Sequence, residues 1–142
     1  GATLACEEGP PPCTEAQVLG GVSIPADTLN HGQKLFNRYC GSCHGADGGG
    51  HGPAARGLQP RDFRAANFLY KSTPGDALPT ELKGEAVPHA LPTDTDLAAT
   101  IKQGRVDKGM PAWGGLRDED VAALVSYIKT FSPRWRSAPT GP

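Results

Sequence analysis

Long apolar runs are missing from this chain of 142 residues. Hydrophobic residues make up only 37% and aromatic residues 6%, and no stretch approaches the roughly 20 apolar residues that a membrane-spanning helix needs. Charge of one sign is missing too: 14 Lys and Arg stand against 15 Asp and Glu, a net charge of −1. That balance gives no strong field toward nucleic acid or an anionic membrane. Basic residues are absent from the first 30 positions, where Glu7, Glu8, Glu15 and Asp27 leave a net −4, while the remainder carries +3. What is abundant is glycine and proline, 33 of 142 residues, without a collagen-like period. The length suits one domain. A loop-rich chain with so little apolar material commonly needs a crosslink or a cofactor at its centre.

The four cysteines fall into two pairs. Cys40 and Cys43 stand in Cys40-Gly41-Ser42-Cys43-His44, the Cys-x-x-Cys-His pattern of covalent haem attachment. A thioredoxin-like redox pair would be expected near strand–helix alternation, which the sequence lacks. A zinc site would need a second ligand pair, and Cys6 and Cys13 lie at the wrong spacing. Two cysteines three positions apart at a helix end share one face, so both can form thioethers to one haem. His44, the next residue, then presents its imidazole to the iron from the same side. The glycine run at 45–52 has no Gly-Lys-Ser/Thr and follows no strand, so it is not a phosphate loop. No Gly-x-Ser-x-Gly elbow marks a hydrolase.

The helix that delivers this motif is capped by Asp27 or Thr28 and carries Leu35, Phe36 and Tyr39 as an apolar stripe. Gly32 lies within the same helix at about 1 kcal/mol of lost propensity, which makes sense where another helix crosses at very short range. The partner is the stretch 118–131, with Val121, Leu124, Val125, Ile128 and Phe131 on one face and Pro133 beyond it. Its acidic first turn and Lys129 near its end suit the helix dipole, and Tyr127 could lie against Gly32 and Phe36. A third helix runs from Asp94 to Gln103, with Thr93 as N-cap, Asp96 completing a capping box and Gly104 as C-cap. The stretch between Gly45 and Pro92 reads as loop and turn, with no alternating strand.

On the Gly32-x-x-x-Phe36-x-x-x-Cys40-x-x-Cys43-His44 segment, the Gly-Met-Pro-Ala-Trp segment at 109–113 and the closing amphipathic helix, the chain resembles the class I cytochromes c over roughly residues 27–132. Lys71-Ser72-Thr73-Pro74 and Leu-Pro-Thr-Asp at 91–94 are similar to periplasmic bacterial members. The resemblance implies an all-α fold, with three main helices and long loops wrapped around one covalently bound haem c. It implies Met110, the sole methionine, as the sixth iron ligand opposite His44. A thioether is soft and neutral and favours ferrous iron, so a His/Met pair raises the reduction potential. Gly109 and Pro111 shape the ligand loop, and Trp113 gives bulk against the haem or closes that loop. By resemblance, the carbonyl of Pro53 accepts the second ring N–H of His44. Arg61, with Arg56, Arg64 and Lys71, could pair with the haem propionates. His31, His51 and His89 are rival ligands that read as surface residues. Ala-Leu-Pro-Thr occurs twice, at 77–80 and 90–93, and the segment 75–91 around it departs from the family pattern.

The chain is thus expected to comprise an acidic, Pro-rich leader (1–26) holding Cys6 and Cys13, a haem domain (27–134) and a C-terminal tail (135–142). Covalent haem attachment implies maturation outside the cytosol, where a Cys6–Cys13 disulfide would persist; lipidation of Cys6 is the rival reading. The expected function is electron transfer, as a monomer, between transient periplasmic protein partners, with no nucleic acid involved. Because both axial positions are filled by protein, no catalysis is expected. The alternatives are a haem subunit of a larger oxidoreductase and a haem enzyme or sensor with a labile sixth ligand.

Overall fold

A computed structural model describes residues 12–65, 70–71, 80–81 and 91–136. Its first element is a hairpin in which β1 (Gln17–Leu19) pairs antiparallel with β2 (Val22–Ile24), Leu19 lying opposite Val22. The turn is Gly20-Gly21 with φ of 62° and 81°, the left-handed pair that a two-residue hairpin loop demands. The sequence reading contained no strand, and this hairpin corrects it. Three-residue strands are too short to show alternation, so the only local signal is Gly-Gly between two β-branched segments. A second antiparallel pair, β3 (Tyr70–Lys71) with β4 (Thr80–Glu81), falls where only loop was expected. Most of the 75–91 segment lies outside the described residues.

α1 (Ala26–Tyr39) is preceded by Pro25 at φ −62° and ψ 149°, with no side-chain cap. Neither Asp27 nor Thr28 is the N-cap: that place is taken by Pro25, whose fixed φ suits the extended entry and whose carbonyl accepts from Leu29 N–H at 3.2 Å. Asp27 contributes instead as a first-turn acid. The chain breaks at Cys40 and resumes as α2 (Gly41–His44), a single turn. α3 (Asp94–Gln103) begins with the reciprocal capping box expected of it. The Thr93 hydroxyl accepts from Asp96 N–H at 3.1 Å, and Asp96 Oδ2 accepts from Thr93 N–H at 2.9 Å. Gly104 ends it at φ 67°. A 3-10 turn, Val106–Lys108, follows. α4 (Asp118–Lys129) stops two residues short of the expected end, where Thr130 and Phe131 N–H bond only three residues back, to the Tyr127 and Ile128 carbonyls at 2.9 and 3.2 Å.

The described residues are therefore mainly helical, and their central contact is the crossing of α1 and α4. A Cβ built on Gly32 would overlap the Ala123 carbonyl and lie 2.7 Å from Tyr127 Cβ, so only glycine permits this approach. Around it, Leu29, Phe36, Val121, Leu124, Val125 and Ile128 are buried in one core. Tyr127 is buried rather than half-exposed, its ring 5.5 Å from that of Phe36. Two polar side-chain pairs fix neighbouring helices. His31 Nε2 meets Asp120 Oδ1 at 2.7 Å across the crossing, so His31 is partnered as well as exposed. Lys129 is buried and pairs with Asp94 at the start of α3; its role is this tie more than the helix dipole.

The stretch expected to be a leader supplies Leu19, fully buried, and the expected tail supplies Trp135, 3% exposed, to the same core. Gly20 N–H donates to the Trp135 carbonyl at 2.8 Å, joining the hairpin to the residues after α4. Cys13 is a free thiol whose Sγ accepts from Gln17 Nε2 at 3.3 Å, and its backbone exchanges two hydrogen bonds with the Asn30 side chain. Its expected partner Cys6 lies outside the described residues. No helix among the described residues is long and apolar enough to cross a membrane.

Candidate functional site

The end of α1 and the single turn of α2 bring Cys40, Cys43 and His44 together. Cys40 N–H still bonds to the Phe36 carbonyl at 2.8 Å, while Cys43 and His44 N–H both return to the Cys40 carbonyl, at 3.2 and 2.9 Å. The two cysteines are unjoined thiols. Cys40 is buried, and that burial, with Cys43 beside it, pushes its thiol up to about 12. Cys43 is more open and lies 3.8 Å from the Ala54 carbonyl.

His44 is held from two sides. Burial lowers its imidazole from the ordinary histidine range, offset in part by a hydrogen bond to the Arg61 carbonyl. Nδ1 lies 3.2 Å from that oxygen. A carbonyl can only accept, so Nδ1 carries the proton and Nε2 keeps its lone pair, the tautomer that ligates a metal. The acceptor is thus Arg61 and not Pro53, correcting the expectation drawn from resemblance. Pro53 is exposed on a turn whose neighbours return to the attachment motif: Gly52 N–H bonds to the Cys43 carbonyl and Ala54 N–H to the Ser42 carbonyl. The chain comes back over the imidazole only later, where Phe63 N–H bonds to the Gly48 carbonyl at 2.8 Å. Phe63 then stacks on His44 with ring centroids 4.3 Å apart. No motif in the sequence signals Phe63.

Met110 lies in the loop between α3 and α4, half-buried. It exchanges both backbone hydrogen bonds with Arg105, each 2.9 Å, pinching off the 3-10 turn. Trp113 N–H bonds to the Ile101 carbonyl at 3.0 Å, and its ring lies 4.8 Å from that of Tyr39, next to Cys40. At the other edge, a Cβ on Gly109 would lie 2.7 Å from Leu58, which precedes Arg61. The methionine loop is therefore tied at one side to the attachment helix and at the other to the loop that orients His44. Two free thiols, a neutral imidazole with its outer nitrogen anchored and a thioether on a braced loop make a donor set that fits a haem c.

Of the basic residues, Arg61 is half-buried and Arg56 exposed. Arg64 is engaged with Asp62 at 3.0 Å and Asp47 at 3.4 Å on the surface, which holds the Asp62 carboxyl below the usual range. The Lys71 side chain and His89 lie outside the described residues, and His51 is exposed.

A family model described as cytochrome c oxidase, cbb3-type, subunit III matches residues 27–128. No curated protein matches the chain. Among solved structures, a chain of the Kuenenia stuttgartiensis reducing HAO-like protein complex Kustc0457/Kustc0458 is 30% identical, with a TM-score of 0.63. That similarity covers 79% of this chain and 46% of the other, so the chain spans about half the length of that relative. With the match running through the Cys40–His44 motif, the Met110 loop and α4, this chain belongs to the cbb3-type subunit III family of class I c-type cytochromes.

Proposed function

We propose that this electron-transfer haem protein holds one haem c through Cys40 and Cys43, with His44 and Met110 as axial ligands, and passes electrons between exported redox proteins. The observation that carries the reading is His44: half-buried, with Nδ1 committed to the Arg61 carbonyl so that Nε2 is left to bind iron. When bound, the haem supplies one-electron chemistry at a potential that a His/Met pair raises. The chain's own residues bind, brace and enclose it. Trp113 against Tyr39 and Gly109 against Leu58 hold the methionine loop in place. Arg61, half-buried, and Arg56 are the cations available for the propionates.

Two protein ligands leave no iron position for a substrate, which supports a carrier over an enzyme. Covalent attachment supports maturation outside the cytosol. Haem retention decides the attachment: protein made with a c-type maturation system should keep its haem after acid-organic extraction, with the mass of the chain plus one haem. Haem that extracts freely contradicts the reading.

A second reading, a haem subunit of a larger oxidoreductase, is favoured by the similar chain in the HAO-like protein complex. Co-purification of the native protein separates the two: a shuttle elutes alone, a subunit with its complex.

A further inference from the structure

We infer that Phe63 is a positioning residue for the axial imidazole, and that it fixes the plane in which His44 meets the iron. The inference rests on His44 being an iron ligand. The two rings are nearly parallel, at an interplanar angle of 17° and a centroid distance of 4.3 Å, and Phe63 is 7% exposed. A hydrogen bond from Nδ1 fixes one atom of an imidazole and leaves the ring free to rock about that atom. A flat neighbour in stacking contact removes the rocking.

Both restraints come from one short segment, since the Arg61 carbonyl and the Phe63 ring lie two residues apart. That segment is latched to the attachment loop by Phe63 N–H on the Gly48 carbonyl at 2.8 Å, and Gly50 N–H bonds to the carbonyl of His44 itself at 2.7 Å. Phe63 cannot swing aside easily. Phe131, just beyond α4, lies behind it at 6.1 Å and 21°, and Phe36 of α1 meets it edge-on at 6.2 Å and 62°. The α1–α4 core is thus coupled through one phenyl ring to the ligand plane. The orientation of that plane decides which haem edges share the unpaired spin of ferric iron, and an apolar face beside the imidazole keeps water away and disfavours the more charged ferric state.

Nuclear magnetic resonance of the holoprotein tests this. In the ferrous wild type, the His44 ring protons should show the large upfield shift of a ligand over a porphyrin, with Overhauser contacts to the Phe63 ring. Phe63→Leu, which fills similar volume without a flat face, should alter the spread of ferric haem-methyl shifts, whereas Phe63→Tyr should keep it. Absent His44–Phe63 contacts overturn the inference, and that wild-type readout stands even where a variant fails to fold. A leucine variant that keeps the methyl pattern, or a tyrosine variant that shifts as far as leucine, overturns it too. Absence of the upfield His44 shift instead removes the ligand assignment, and the inference with it.

Discussion

In the proposed His/Met arrangement, holding the cofactor and tuning it fall to different bonds, and Met110 would do the tuning. With Cys40, Cys43 and His44 as tethers, Met110→Ala should fold with its haem in place. Loss of the thioether removes the ligand that favours ferrous iron, so the midpoint potential should fall and the ferrous form should bind carbon monoxide. Potentiometric titration checks the first and an absorption spectrum under carbon monoxide the second; an unchanged potential would show that another residue is the sixth ligand. Asp120 illustrates a different use of one side chain. It accepts from His31 at 2.7 Å and from Arg117 at 3.3 and 3.4 Å, and these partners hold its carboxyl below the ordinary carboxylate range. A carboxyl whose folded value is depressed contributes stability that is fully present above its unfolded value and is lost as pH falls through the folded one. The difference between the denaturation midpoints of wild type and Asp120→Asn should therefore be present at mildly acidic pH and shrink as pH falls through the folded value of the carboxyl. A gap that persists into strong acid would contradict this sign.

Helix pairing rests on features that sequence reveals unevenly. The α1–α4 crossing was legible because a glycine inside an apolar stripe has few purposes other than close approach. Gly32→Ala should push the helices apart, with a loss of about 1–3 kcal/mol read from denaturant unfolding; a neutral result would mean the crossing can widen freely. The α3 start was legible because a capping box is entirely local. Thr93→Ala should weaken it by about 1 kcal/mol, visible in the same unfolding curves and as faster amide exchange over 94–97. The α1 start differs from the expected one because Asp27 and Thr28 have cap-forming side chains, while Pro25, which has none, sets the entry through its fixed φ. The β1–β2 hairpin was overlooked because three-residue strands show no alternation and Gly20-Gly21 reads equally as loop.

Across the whole molecule, the proposed anchors of the site can be named from the sequence, and the contacts that surround them cannot. Cys40, Cys43 and His44 form a contiguous motif, and Met110 is conspicuous as the only methionine. The acceptor for His44 is a backbone carbonyl, which any residue type can supply, so nothing in the side chains separates Arg61 from Pro53. Phe63 was hidden for a related reason, since its place depends on the path of the loop from Gly45. Leu19 and Trp135, 116 positions apart in the numbering, share one core, and no local pattern predicts such a pairing. The central claim is a haem iron closed on both faces by His44 and Met110. Near-infrared magnetic circular dichroism of the ferric holoprotein tests it most directly, because the charge-transfer band of low-spin ferric haem reports its axial pair. The account predicts the band of histidine–methionine ligation; a bis-histidine band, or the high-spin signature of an open or water-bound site, would contradict it.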